Sequence, residues 1–159
     1  MTPARAGSKQ QWQISADEIV VLDLEGNLVD GPDRRTREWQ FHLAIYKNFE
    51  RAGSVIHAQA GHFMAFVAAG RPMPPALEHT KKFGTIGMAE FAPAHSGELA
   101  QKVIEGLAPR AAELEKHAIA TMVPQHGIIV VGRDLDDAFD TLERLETNAQ
   151  ALLWGKLLG

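Results

Sequence analysis

The chain has 159 residues, no cysteine and a formal net charge of −4, and 45% of its residues are hydrophobic. A chain of this length buries about 68–70% of its unfolded surface, so it can form a core without disulfides or a structural metal. The absence of cysteine excludes thiolate zinc sites and thiol nucleophiles. The acidic charge balance argues against contact with a phosphate backbone, so we expect no nucleic-acid partner.

No targeting or membrane-spanning segment is visible along the chain. No apolar run approaches the roughly 20 residues of a membrane helix, and the polar start lacks the apolar stretch of a signal peptide. We therefore expect a cytoplasmic protein with no membrane partner. Internal repeats and low-complexity tracts are also missing, so residues 1–159 are predicted to form one domain.

The first half of the chain alternates segments typical of strands and helices. A β-branched run at 18–24, followed by a turn and an apolar pair at 28–29, predicts two strands. Large apolar residues spaced four and three apart predict a helix over 37–49. A short buried strand is predicted over 54–58, and an apolar helix over 62–69 ends before a cluster of prolines.

The second half continues the alternation. A weak strand is predicted over 87–92, and Ser96 is the predicted N-cap of a helix. Two strands, 118–123 and 128–131, flank a tight corner that carries a histidine. Asp134 is predicted to cap a last helix, whose apolar residues recur three and four apart. This pattern predicts an α/β layered domain with a central mixed sheet.

Several of the histidines are candidates for chemistry. Seven are present: His42, His57, His62, His79, His95, His117 and His126. His57 and Gln59 share one face of a predicted strand, and His126 lies at the corner. Three such groups could converge on one ion, because a catalytic zinc takes three protein ligands and keeps one open position. The same spacing also fits hydrogen-bonded histidines at a loop or core edge.

Glu38 lies in the first turn of the predicted helix. A carboxylate at this position can simply offset the positive end of the helix dipole. It would also suit a general base, provided that the start of the helix faces the histidines. The residues alone leave both interpretations open.

The segment TREWQFHLAIYKNFERAGSVIHAQ at 36–59 resembles the class II aldolase/adducin family. In that family a glutamate opens a helix that carries a histidine four residues later, and an apolar strand then ends in His-x-His. The stretches AAGRPMPP, FAPAHSGELA and QHGIIVV match later family motifs in the same order. The start MTPARAG and the run DEIVVLDLEGNLV resemble an earlier family loop and hairpin. The resemblance therefore covers nearly the whole chain.

The resemblance implies a three-layer α/β/α fold with a central mixed sheet, of the class II aldolase type. Family members usually assemble as cyclic tetramers with active sites between subunits, so we expect a homo-oligomer and favour a tetramer. The family's enzymes cleave or rearrange sugar phosphates, and some relatives decarboxylate aromatic or pyridine acids. The expected substrate is thus a small anionic molecule.

In the aldolases three histidines hold a zinc ion that polarises the substrate carbonyl and stabilises the enediolate, and a glutamate moves the proton. Carried across by position, His57 and His126 are the first and third ligands and Glu38 is the catalytic acid/base. Gln59 stands at the second ligand position. Zinc prefers imidazole to an amide oxygen, so we expect zinc with manganese or magnesium as alternatives. His62 is an alternative second imidazole.

Other family features also depart from the pattern. Thr36 and Arg37 stand where a serine pair usually precedes the glutamate, and the resemblance implies that they bind the substrate. The Thr36 hydroxyl would contact it, and Arg37, or else Arg34 or Arg35, would pair with its anionic part. A solvated basic turn is the alternative. The family's phosphate-binding Gly-Asn segment would precede Met1, so the N-terminal part of the family domain is expected to be missing. No candidate replaces the family's tyrosine acid, since the single tyrosine falls within the helix motif.

Two functions follow from these observations. The first is a metal-dependent lyase that acts on a small carbonyl-containing anion, such as a sugar phosphate, by stabilising an enediolate or enolate. Glu38, His57 and His126 favour it. The alternative is a catalytically inactive, adducin-like binding or assembly domain, which Gln59 and the missing family segments favour.

Overall fold

A computed structural model of the chain describes residues 1–4, 14–59 and 61–158. Its strands and helices, in chain order, are β1 (Val21–Leu22), β2 (Leu28–Asp30), α1 (Trp39–Asn48), β3 (Ser54–Ala58), α2 (Met64–Ala69), α3 (Gly97–Leu107), β4 (Ile119–Val123), β5 (Gly127–Gly132) and α4 (Leu135–Gly155). Short 3₁₀ segments lie at 16–18, 78–83 and 108–115. These elements match most of the segments predicted from the sequence.

The central sheet has the strand order β3-β5-β4, and both strand pairs are antiparallel. The end of β3 therefore meets the start of β5, where Ala58 lies opposite Ile128. A parallel bridge between Met88 and Met122 at the edge of β4 makes the sheet a mixed one. The predicted strand over 87–92 is reduced to this bridge, because the chain leaves β4 after two hydrogen bonds. That part of the strand prediction is wrong.

Strand β5 is buried on both faces. Successive side chains of a strand point to opposite faces, and here Ile129 and Val131 pack into a cluster with residues of α1 and α3. Ile128 and Val130 pack on the other side with residues of α2 and α4. Helices thus cover both faces of the sheet, which explains the continuous apolar sequence of β5. The predicted three-layer α/β/α fold is confirmed.

Both predicted N-caps are confirmed. The hydroxyl of Ser96 accepts a hydrogen bond from the Leu99 N–H at 3.0 Å. The carboxylate of Asp134 accepts one from the Asp137 N–H at 2.8 Å at the start of α4. Such caps satisfy backbone donors that a helix leaves free at its N-terminus.

The first four residues run beside the segment that leads to α1. The Ala4 N–H donates to the Arg34 carbonyl at 2.6 Å, and the Met1 ammonium donates to the Val20 carbonyl at 2.6 Å. The rest of the MTPARAG resemblance lies outside the described residues. Strands β1 and β2 form the hairpin predicted from the sequence, and residues of its turn approach α1.

None of the helices in the described parts of the chain is long and apolar enough to cross a membrane. The longest one, α4, carries acidic side chains from its first turn onwards.

Candidate metal centre

Two histidines meet at one end of the sheet. His57 is the fourth residue of β3, and His126 lies in the turn between β4 and β5. That turn is closed by a hydrogen bond from the His126 N–H to the Val123 carbonyl at 3.1 Å. Because β3 and β5 run antiparallel, the end of β3 lies beside this turn. The centroids of the two imidazole rings are 4.8 Å apart.

Gly127 allows this close approach. A Cβ atom at that position would lie 2.4 Å from the Ala58 carbonyl oxygen and 3.0 Å from Nε2 of His57. Real Cβ atoms essentially never come as close as 2.4 Å to a backbone oxygen. Any larger residue would therefore push β3 and the His57 ring away from the turn.

Glu38 completes the cluster from the start of α1. Its Oε2 atom lies 2.6 Å from Nδ1 of His57, and its Oε1 atom lies 2.6 Å from Nε2 of His126. All three side chains are nearly buried, with 11–12% of their surface exposed. One possible ligand atom from each lies within 4.8 Å of the other two. The fold thus brings together the predicted acid/base and two of the predicted ligands.

The helix that follows Glu38 supports the His57 ring. Phe41 lies one turn further along α1 and packs edge-on against His57, with ring centroids 5.6 Å apart. It also stacks on His42 at 4.5 Å. Residues three or four apart share one helix face, so Phe41 and His42 lie on the same side of the helix as Glu38.

Opposing effects act on the pKa of Glu38. Burial raises the pKa, but hydrogen bonds and charge from His126 and His57 outweigh it and hold the pKa well below its ordinary value. Glu38 is therefore a carboxylate at neutral pH. Burial, together with the nearby His57, lowers the pKa of His42 to about 4, so His42 is neutral there.

The donor set fits a divalent metal ion. Two imidazoles and a carboxylate are ligand types that catalytic zinc sites use, with three protein ligands. In addition, Nε2 of His57 is buried and has no hydrogen-bond partner among the described residues. A buried polar atom usually has a partner, so Nε2 of His57 is available to bind an ion or a ligand. The cluster is compatible with a divalent ion.

Gln59 borders the cluster without belonging to it. Gln59 directly follows β3 and is exposed. Its Cγ atom lies 3.1 Å from the position that a Cβ atom would occupy at Gly127. Its role as a ligand remains a prediction. His62, the alternative second imidazole, instead points its Nδ1 atom at Glu146 Oε1, 2.6 Å away.

The two predicted substrate-binding residues precede Glu38. The hydroxyl of Thr36 accepts a weak hydrogen bond from the Glu38 N–H at 3.4 Å, and Arg37 is exposed. Arg35 is held instead by the Gly26 carbonyl at 2.7 Å and by Asp33 at 3.0 Å. Substrate binding by Thr36 and Arg37 remains a prediction.

Sequence reasoning did not single out a third histidine at the cluster. Nδ1 of His95 lies 3.9 Å from Oε1 of Glu38, and His95 has a left-handed backbone conformation with φ 64°. The one available signal was its place directly before the helix cap Ser96. The stretch FAPAHSGELA was matched to the family only as a motif, so the resemblance did not mark His95 as functional.

The family model of the Class II Aldolase and Adducin N-terminal domain matches residues 6–153. The chain belongs to this family. The chain is similar to an L-fuculose phosphate aldolase of Methanococcus maripaludis, with 29% identity over 141 residues that cover 86% of this chain and 70% of the relative.

Two other relatives carry different activities in their names. A 3-oxo-tetronate 4-phosphate decarboxylase of Haemophilus influenzae is 30% identical over 87% of this chain and 64% of its own length. An L-ribulose-5-phosphate 4-epimerase of Salmonella paratyphi B is 30% identical over 79% of this chain and 57% of its own length. The names of these relatives point to different reactions, so the family match does not identify one for this chain.

Solved structures of the family share the fold. An L-fuculose 1-phosphate aldolase superposes with a TM-score of 0.83 and 26% identity, covering 99% of this chain and 70% of the other. The L-fuculose-1-phosphate aldolase of Thermus thermophilus has a TM-score of 0.75 and 22% identity over 94% of this chain and 74% of its own. The second likeness bears on the fold alone.

Proposed function

We propose that the protein is a divalent-metal-dependent lyase of the class II aldolase type, acting on a small carbonyl-containing anion such as a sugar phosphate. One observation carries the proposal. A buried carboxylate, Glu38, is held between the imidazoles of His57 and His126 at 2.6 Å each, in a chain of this family. Glu38 would transfer protons and the two histidines would bind the metal, and all three lie in contact.

His57 and His126 would hold the ion. The family's ligand order puts Gln59 at the remaining position, but an amide oxygen binds zinc less readily than an imidazole, so that position is open to a neighbouring side chain. The bound ion would act as a Lewis acid that polarises the substrate carbonyl. Zinc suits the imidazoles best, with manganese or magnesium as alternatives, because harder ions accept amide oxygens more readily.

Glu38 would move the proton. Its hydrogen bonds to the two histidines keep it ionised, and each of them also weakens it as a base. A substrate that displaces either contact would raise the pKa of Glu38 towards its ordinary value. The freed Oε1 or Oε2 atom could then accept the hydroxyl proton whose loss begins C–C cleavage.

Arg37 and Thr36 would bind the anionic part of the substrate. Arg37 is exposed and makes no ion pair with the described residues, so its guanidinium is free for two parallel hydrogen bonds to a phosphate or carboxylate. The Thr36 hydroxyl accepts from the Glu38 N–H and still has its own proton to donate. Both residues lie immediately before the proposed base.

The three relatives described above are named as enzymes that act on phosphorylated compounds, which supports a phosphorylated substrate for this chain. The contacts of Glu38 with His57 and His126 support an enzyme over the alternative of an inactive binding domain, which rests on Gln59 and the other departures from the family motifs. On the resemblance to the family we also propose a homotetramer in the cytoplasm, which analytical ultracentrifugation and fractionation would check.

The test combines metal analysis with turnover. Wild-type protein, Glu38→Gln and His126→Ala would be assayed for bound zinc, manganese and magnesium, and for turnover of L-fuculose 1-phosphate, 3-oxo-tetronate 4-phosphate and L-ribulose 5-phosphate. We expect about one ion per wild-type chain, its loss in His126→Ala, and loss of turnover in both variants. His79→Ala, at an exposed histidine, is the matched control. Wild-type protein that binds no ion and converts none of the three compounds would overturn the proposal.

A further inference from the structure

We propose that His95 supplies the third imidazole of the metal centre, in place of the amide of Gln59. The inference rests on the function proposed above, because it concerns the same ion. It adds a ligand that neither the sequence nor the family match assigns to this chain.

The position of His95 is the first argument. Its Nδ1 atom lies 3.9 Å from Oε1 of Glu38, the same oxygen that Nε2 of His126 approaches at 2.6 Å. His57 contacts the other oxygen of the carboxylate. Three imidazoles therefore surround one carboxylate, and Gln59 is not among its partners. An ion held at this carboxylate would have His95 as a near neighbour.

The backbone gives an independent argument. Among the described residues, His95 and Gln125 are the two non-glycine residues with positive φ, at 64° and 58°. Gln125 directly precedes His126, so both unusual conformations sit beside an imidazole of the cluster. Side chains make the left-handed conformation unfavourable, and it persists mainly where the surroundings impose it, often at functional sites. Both conformations therefore occur in segments that place a histidine beside Glu38.

The turn that holds His95 is well defined. The Ser96 N–H and the Ser96 hydroxyl both donate to the Pro93 carbonyl, at 3.3 and 2.7 Å. The same hydroxyl caps α3 by accepting from the Leu99 N–H. These contacts fix the Cα atom of His95 while leaving its ring 45% exposed. The ring can thus turn towards an ion without repacking the core.

The chemistry favours His95 over Gln59. Zinc binds imidazole nitrogen more readily than a neutral amide oxygen. The 3.9 Å between Nδ1 of His95 and Oε1 of Glu38 is too long for a hydrogen bond. The His95 ring therefore loses no hydrogen bond to Glu38 when it turns towards an ion. With three imidazoles on the ion, the Glu38 carboxylate is not required as a ligand and stays available for the proton.

The decisive variant is His95→Gly. Glycine adopts positive φ without steric cost, so the variant should fold, and thermal denaturation of the metal-free protein would verify this. Zinc affinity would be measured by competition with a chromogenic chelator, and the ligand set by the visible spectrum of the cobalt-substituted protein. Gln59→Ala tests the competing donor. His79→Ala, at an exposed histidine, is the matched control.

We expect His95→Gly to weaken zinc binding by at least about 100-fold, because removing groups that merely orient ligands already costs 10–100-fold. The cobalt spectrum should change in the same variant, while Gln59→Ala and His79→Ala should change neither quantity appreciably. The double variant His95→Gly/Gln59→His should regain affinity, which would identify the lost donor as an imidazole.

The outcomes separate the two proposals. If wild-type protein binds zinc and His95→Gly binds it equally well, the ligand inference is overturned and the proposed function stands. Retained zinc with reduced turnover in His95→Gly also overturns the inference, because His95 then acts on the substrate. Wild-type protein that binds neither zinc nor cobalt removes the metal centre and the proposed function with it.

Discussion

The molecule contains two histidine–glutamate pairs with the same separation and different surroundings. Nδ1 of His57 lies 2.6 Å from Glu38, and Nδ1 of His62 lies 2.6 Å from Glu146. Glu146 also accepts the backbone N–H groups of His62 at 2.5 Å and Phe63 at 3.2 Å. The carboxylate of Glu38 has only imidazoles as partners within the part of the chain that the structure describes.

The difference separates a structural pair from an exchangeable one. Backbone N–H groups are fixed by the fold, so Glu146 cannot leave them without exposing donors at the start of α2. Imidazole side chains, in contrast, can move slightly, so that an ion or a substrate takes their place beside the carboxylate. The remaining partners of each carboxylate, and not the His–Glu distance, thus indicate which pair can take part in chemistry.

The largest effect expected from this comparison is on turnover. Glu38→Gln keeps the size of the side chain but removes the proton acceptor, so turnover should fall by about 10²–10⁴-fold, the range for loss of a general base. Steady-state kinetics on whichever compound is converted would measure it. Glu146→Gln is the matched control and should retain turnover. Equal losses in the two variants would contradict the distinction.

A second variant disturbs the Glu38 cluster without touching His62 or Glu146. In Gly127→Ala the new methyl group would lie 2.4 Å from the Ala58 carbonyl oxygen. We expect the free energy of unfolding to fall by about 1–3 kcal/mol, as in other overpacked sites, together with weaker metal binding. Urea denaturation and metal titration would show both.

Gly97→Ala provides the steric control for that variant. Nothing lies within 4 Å of a Cβ atom built at Gly97, at the start of α3. Because alanine favours helix more than glycine does, this variant should be as stable as wild-type protein or slightly more so. Gly127→Ala with wild-type stability would show that β3 and the turn can separate freely, against the packing described here.

The structural pair should respond in the opposite way to the catalytic one. Glu146→Ala would leave the His62 and Phe63 N–H groups without their acceptor, so the free energy of unfolding should fall by about 1–3 kcal/mol. Turnover of the folded variant should persist. Glu143→Ala, at an exposed position on the same helix, should change stability little. A Glu146→Ala variant that is stable but inactive would assign Glu146 to the chemistry.

Asp137 extends the comparison to a carboxylate that pairs with an arginine and with backbone N–H groups among the described residues, and it carries the smallest expected effect. Burial raises its pKa, but hydrogen bonds from the side chain and backbone of Arg133 outweigh this and lower the pKa overall. The ionised group therefore stabilises the fold above its unfolded pKa of about 4. This stabilisation is lost as the pH falls through the lower folded pKa.

Asp137→Asn should accordingly lower the free energy of unfolding at neutral pH, by about 1 kcal/mol for the weakened hydrogen bonds. The acid-induced decrease in stability should be shallower than in wild-type protein. Urea denaturation between neutral pH and pH 3 would compare the two curves, which should converge at the acid end. Curves that stay parallel would exclude the lowered pKa of Asp137.

Local patterns predicted most of the secondary structure. The caps at Ser96 and Asp134 and the corner before Gly127 depend on nearby residues, so the sequence identifies them directly. The strand expected over 87–92 failed because pairing with β4 stops after Met88, and Phe91 is 61% exposed. Where an edge strand ends depends on tertiary packing, which a propensity pattern does not contain.

The site was predictable only in part. The family motifs named Glu38, His57 and His126, and the structure shows them in contact. The proximity of His95 depends on how α1 packs against α3, and no local pattern reports that. The pairing of His62 with Glu146 likewise joins residues far apart in the chain, so spacing alone left His62 as a candidate ligand.

The antiparallel pairing of β3 with β5 has a consequence for the order of folding. His57 and His126 are far apart in the sequence and meet only after these two strands have paired across a long loop, a slow type of contact to form. The apolar packing on both faces of the sheet supplies the driving force for that pairing without an ion. An ion bound at the finished cluster stabilises contacts that form late, and such stabilisation acts mainly on the unfolding rate. We therefore expect bound metal to slow unfolding much more than it accelerates folding.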